Sequence, residues 1–167
     1  MLFRSFEQFD VIPDVLLLGK ALGGGMPLGA FIADINMMQS LTENPVLGHI
    51  NTFGGHPVCC AAGLAALEVL KRESLVEHVF EKEKLFRSLL IHPTIRKLNS
   101  RGLMMALFLD SYEQNKKLID KLIERGVFTD WFLFASNALR IAPPLTISEQ
   151  EIRKACAEII SVLNEIS

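Results

Sequence analysis

Val15-Leu16-Leu17-Leu18 is an unbroken apolar run between Pro13-Asp14 and Gly19. A run this short, apolar at every position, predicts a strand covered on both faces, the parallel type. Leu28 to Ala33 predicts a second strand, closed by Asp34. Between the two, Gly23-Gly24-Gly25 opens backbone conformations that other residues adopt only at a cost. Pro57 suits the first position of a helix, which the pattern carries to about Lys71. Its early part, Cys59-Cys60-Ala61-Ala62-Gly63, is made of small residues and predicts close packing on another element. A second helical stretch runs from Ser74 to about Leu90, broken by His92-Pro93. Leu103 to Leu109 predicts a strand. Tyr112 to Arg125 reads as an amphipathic helix with Leu118, Ile119, Leu122 and Ile123 on one face and Gly126 just past its end. Val127-Phe128, Trp131 to Phe134 and Leu139 to Ala142 are strand-like, the last stopped by Pro143-Pro144. The final helix has the fullest signature. Ser148 and Glu151 form a capping box, and Ile147 and Ile152 a hydrophobic staple. Its apolar face is Ile152, Ala155, Cys156, Ile159, Ile160 and Leu163.

The order of elements is α/β and then α+β, with a boundary near residues 71–90. There is no internal repeat and no low-complexity tract. With 167 residues, half of them hydrophobic, the chain can build one core or two small cores sharing an interface. That apolar content, with 17 basic against 19 acidic residues, excludes disorder as the main state. A balance of -2 gives no sign of a nucleic-acid partner. No apolar run approaches the roughly 18 residues of a membrane span. Phe3, Arg4 and Glu7 mix charge and apolar groups, unlike a signal peptide. Three cysteines do not make a disulfide framework, so a reducing cytoplasm is expected. A mean hydropathy of +0.30 is high for a free-standing domain and predicts apolar surface that meets another chain or segment.

Lys20 follows directly on the first apolar strand. One reading makes it a desolvated lysine whose amine is available to a carbonyl cofactor; the other makes it a surface lysine leaving a strand end. Thr52-Phe53-Gly54-Gly55 lies just before a helix N-terminus. It reads equally as a phosphate site, built from a hydroxyl, free amides and a helix dipole, or as an ordinary capped loop. Arg140, between Leu139 and Ile141, calls for an anionic partner. That partner is either a substrate carboxylate or, the commoner case, a carboxylate of the protein. Cys59-Cys60 with His56 is a poor metal set, because adjacent cysteines chelate badly and no second cysteine pair exists. These cysteines read as packing residues, and no metal site is expected.

Taken together, three segments resemble the class-III pyridoxal-phosphate-dependent aminotransferases. Pro13 to Ala30 is similar to the family's lysine signature, His49 to Pro57 to its second signature, and Leu139-Arg140-Ile141-Ala142-Pro143-Pro144-Leu145 to its third. They stand in the family's order and span nearly the whole chain. The resemblance implies a fold-type I transferase. Residues 1–71 would be the C-terminal part of the large cofactor-binding domain, and 72–167 the small α+β domain. It implies Lys20 as the Schiff-base lysine and proton shuttle. Asn51 and Thr52 would bind the cofactor, Thr52 at its phosphate and usually across a subunit boundary. Arg140 would bind the substrate's α-carboxylate.

By the same resemblance the partners are an amino acid and a 2-oxo acid, and the assembly is a homodimer. Gly54-Gly55 before Pro57 looks like the acetylornithine, ornithine and 4-aminobutyrate branch, which implies an ω-amino donor with 2-oxoglutarate as acceptor. Asn99 and Ser100 stand where members usually carry Arg-Gly, and Asn51 where serine or threonine is usual. The family's aspartate for the pyridinium nitrogen lies further before the lysine than the 19 residues preceding Lys20. The chain alone is therefore expected to be inactive. Two alternatives remain: an aminomutase or racemase using the same lysine, and a non-catalytic piece that keeps only subunit contacts. A related aminomutase usually lacks the Arg140 segment.

Overall fold

The computed structural model describes residues 5–167; Phe3 and Arg4 lie outside the described residues. The chain divides into two compact units between Ser74 and Leu75.

In the first unit, β1 (Val15–Leu18) pairs with β2 (Ala30–Ala33), with Val15 opposite Ala33 and Leu18 opposite Ala30. The pair is antiparallel, which corrects the parallel reading of the apolar run. No further strand flanks it among the described residues, and Leu17 is 71% exposed. β2 starts two residues later than its apolar pattern, because Pro27 has no N–H and Gly29 no side chain to pack. Asp34 ends β2 and caps α1 (Ile35–Gln39), accepting from the Asn36 N–H at 2.8 Å. The hydrophobic pattern gave no sign of this helix. α2 (Pro57–Arg72) begins on its proline as expected.

The second unit is an antiparallel sheet in the order β3-β4-β6-β5. Its strands are β3 (Lys97–Arg101), β4 (Met104–Phe108), β5 (Asp130–Phe132) and β6 (Ala135–Ile141). Its helices are α3 (Val79–Leu89), α4 (Tyr112–Glu124) and α5 (Glu149–Ile166). Met105, Leu107, Leu139 and Ile141 line the inner face of the sheet. They form one core with Phe86, Leu118, Leu122, Ile152, Ile159 and Leu163 of the helices. The other face, with Met104, Ala106, Phe108 and Arg140, points away from that core.

Three boundaries differ from the pattern. α3 starts at Val79, because residues 73–78 form turns with Ser74 at φ 48°. Val127-Phe128 is not strand. The Val127 N–H donates to the Leu122 carbonyl at 2.8 Å and closes the end of α4, with Gly126 at φ 80°. β3 has no apolar run to mark it, because Lys-Leu-Asn-Ser-Arg half-buries only alternate residues, as an edge strand does. Its turn into β4 is held by Glu83, which accepts from Ser100 Oγ at 2.5 Å and from the Gly102 N–H at 2.7 Å. The capping box of α5 is present: the Glu151 N–H donates to Ser148 Oγ at 3.2 Å, and the Ser148 N–H to Glu151 Oε2 at 2.8 Å.

Candidate functional site

Lys20, Asn51 and Thr52 belong to the first unit and Arg140 to the second. Lys20 has φ 53°, a left-handed conformation unusual for a side chain of this kind. It opens a 3₁₀ turn, Lys20–Gly23, closed by Gly24 at φ 58°. Backbone bonds run from Leu22 N to Gly19 O and from Gly24 N to Ala21 O, both at 3.1 Å. The turn lies against α2. A Cβ on Gly63 would stand 2.7 Å from the Leu22 carbonyl oxygen, and one on Gly24 would stand 2.5 Å from the Ala62 carbonyl oxygen. Only a hydrogen fits at either position. The small residues of α2 do pack closely, and what they receive is the lysine turn.

Lys20 is nevertheless exposed. Of its two readings from the pattern, the exposure is that of a surface lysine leaving a strand end, not of a desolvated one. Desolvation needs atoms packed over the amine. The apolar side chains of β1 precede the lysine, and the left-handed residue turns the chain off the strand. Among the described residues, its ammonium has no hydrogen bond or ion pair.

Asn51 to Gly55 is an exposed turn. The Gly54 N–H donates to the Asn51 carbonyl at 3.4 Å, and the Asn51 side chain lies over Gly54. The Thr52 hydroxyl has no partner among the described residues. His56 gives α2 no side-chain cap, so the positive end of the helix carries uncapped N–H groups. The three cysteines are free, and no group of His, Cys, Asp and Glu among the described residues could hold a metal ion. Burial pushes the Cys156 thiol up to about 12, which leaves it unreactive at neutral pH. No helix among the described residues is long and apolar enough to cross a membrane.

Arg140 has the commoner of its two expected partners. Its Nη2 donates to Asp130 Oδ2 at 2.6 Å, both side chains being nearly half exposed. The two residues face each other across β5 and β6. Thr129 Oγ1 donates to the Arg140 carbonyl at 2.5 Å. Asn99, Ala106, Arg140 and Asp130 form one row across the four strands. Thr129 and Asp130 were not singled out by sequence reasoning. The one available signal was Asp130 itself, a lone acid within a strongly apolar segment, as Arg140 is a lone base in the next.

A family model described as aminotransferase class-III matches residues 3–163. The acetylornithine aminotransferase of Caldanaerobacter subterraneus subsp. tengcongensis is 34% identical, over 97% of this chain and 41% of that protein. The solved acetylornithine aminotransferase of Elizabethkingia anophelis has a TM-score of 0.82 at 35% identity, over 96% of this chain and 41% of its own. The ornithine aminotransferase of Toxoplasma gondii, in a structure with partial occupancy of PLP at its active site, has a TM-score of 0.83 at 32% identity, over 96% and 38%. The chain spans about 40% of the length of the curated relatives it matches.

Proposed function

Because the chain belongs to the class-III aminotransferase family, whose members depend on pyridoxal phosphate, we propose that it is the C-terminal part of such an enzyme. Residues 1–71 then complete the large domain and 72–167 form the small one. The enzyme moves an amino group from an ω-amino donor, ornithine or acetylornithine, to 2-oxoglutarate. It works in the cytoplasm as a homodimer.

The observation that carries this reading is the lysine turn. Lys20 stands at the end of a strand, in a left-handed conformation, on a turn locked to α2 through Gly24 and Gly63, with its amine free. The donor set fits the cofactor. A free primary amine suits an aldehyde. An unpartnered hydroxyl at Thr52, followed by an uncapped helix end, suits a phosphate. A Cβ at Gly25 or Gly55 would meet nothing within 4 Å, so the backbone there is open to close approach. When bound, pyridoxal phosphate supplies the electron sink that stabilises charge at the substrate carbon bearing the transferred amine. Lys20 Nζ would hold the cofactor between turnovers and would move the proton at the carbon that bears the transferred amine during them. Thr52 anchors the phosphate. Arg140 offers the guanidinium fork for the α-carboxylate, a two-point match that lysine cannot copy.

The test is an assay of the holoenzyme with ornithine or acetylornithine and 2-oxoglutarate. Glutamate forms in step with loss of the donor. A donor that is racemised or isomerised with no glutamate formed contradicts the proposal.

A further inference from the structure

Among the described residues, two arginine–aspartate pairs join neighbouring strands or their ends, and they are built differently. Arg96 Nε donates to Asp110 Oδ1 at 2.6 Å and its Nη2 to Asp110 Oδ2 at 2.7 Å. That pair is fork to fork, with both carboxylate oxygens used, as a structural ion pair is at its best. Arg140 has a single contact, Nη2 to Asp130 Oδ2, while Asp130 Oδ1 is buried without a hydrogen-bond partner. An orphaned carboxylate oxygen is a poor result for a pair selected for stability alone.

The geometry of a guanidinium gives the one-point contact a consequence. Its five N–H groups form two edges, each able to grip a carboxylate with two parallel bonds. Nη2 contributes one hydrogen to each edge. An acceptor that takes one of them leaves the other edge whole. Asp130 therefore holds the group without using its recognition surface. The opposite neighbour in the row is Ala106, whose methyl group neither donates nor accepts. β5 also grips the backbone of the same residue, through Thr129 Oγ1 on the Arg140 carbonyl. Main chain and side chain of Arg140 are thus both fixed by two successive residues.

We infer that Asp130 is the positioning residue for Arg140: it orients the guanidinium so that one bidentate edge stays open to a substrate carboxylate. The inference rests on the proposal that Arg140 binds that carboxylate. A long side chain fixed in advance loses less freedom when it binds. The acceptor atom, not the negative charge, is what the role requires. Charge and position can therefore be separated: asparagine keeps an oxygen for Nη2 and removes the charge, whereas alanine removes both.

The experiment measures glutarate, an unreactive dicarboxylate, binding to the holoenzyme by calorimetry, with KM and kcat for 2-oxoglutarate alongside. Asp130→Ala raises the dissociation constant and KM about five-fold with kcat nearly unchanged, and Asp130→Asn leaves both at or below the wild-type values. If Asp130 merely masked Arg140 electrostatically, alanine and asparagine would both tighten glutarate binding, and the inference would be lost. If it served stability alone, both variants would melt earlier and bind glutarate as before, which would also overturn it. Arg140→Lys separates the two levels. Weaker glutarate binding in Arg140→Lys with unaltered binding in Asp130→Ala sinks only the positioning role. Unaltered binding in Arg140→Lys sinks the carboxylate reading of Arg140 and this inference with it.

Discussion

Lys20 combines a long side chain with a backbone conformation, φ 53°, that costs a residue with a Cβ about 1–2 kcal/mol. Glycine escapes that cost. Lys20→Gly and Lys20→Ala both remove the amine and both abolish amino transfer in the holoenzyme, yet they differ in stability. Chemical denaturation should find the glycine variant about 1 kcal/mol more stable than the alanine variant. Equal stabilities would mean that the left-handed conformation is not kept in solution. The position of this lysine was legible, because its neighbours form a specific ordered motif. The choice between a desolvated and an exposed amine was not, because desolvation depends on what packs over the amine in space. The same holds for Arg140. Its need for an anion could be read from its apolar strand, but the identity of Asp130 could not. Cross-strand register decides that pairing, and the local sequence of β6 does not contain it.

α2 shows what an element adds to its residues. Gly63 is a poor helix former, and alanine there would gain about 1 kcal/mol of propensity. The added methyl would stand 2.7 Å from the Leu22 carbonyl oxygen, a backbone atom that cannot step aside alone. Overpacking of this kind costs about 1–3 kcal/mol, so Gly63→Ala should lower the melting temperature despite its better propensity. A rise would mean that the lysine turn does not rest on the helix. α5 was the most legible element, because its cap, staple and apolar face are all local. Its cap also titrates. Hydrogen bonds from the Ser148 N–H and hydroxyl, followed by the nearby Lys82, hold the Glu151 carboxyl below its usual 4.5. Arg125 and then Lys121 do the same for Glu165. A carboxyl lowered in the folded state contributes stability that is fully present above its unfolded value and is lost as pH falls through the folded value. Melting temperature should therefore decline as pH drops below 4.5, and less steeply in Glu151→Gln; identical slopes would contradict the role of the cap. β3 was illegible for the opposite reason. It is a polar edge strand, and what holds its turn is Glu83, on the preceding helix and outside the strand's own sequence.

At the scale of the molecule, the high mean hydropathy has its counterpart in exposed apolar side chains: Ile12 at 93%, Phe53 at 80% and Phe134 at 97%. Surfaces of this kind are sites of further contact, and relatives of the same family are about two and a half times as long as this chain. The paired strands β1 and β2 looked like parts of a covered parallel sheet because every side chain in Val15–Leu18 is apolar. What covers a strand is not a property of its own residues; the sign of open apolar surface was the mean hydropathy of +0.30. What those residues did disclose is the lysine that follows them, and the account depends on it. The most direct measurement is borohydride reduction of the pyridoxal-phosphate-loaded holoenzyme, followed by peptide mapping. The account predicts a single stoichiometric label on Lys20, absent in Lys20→Ala; a label on any other lysine, or none at all on a cofactor-bound protein, would contradict it.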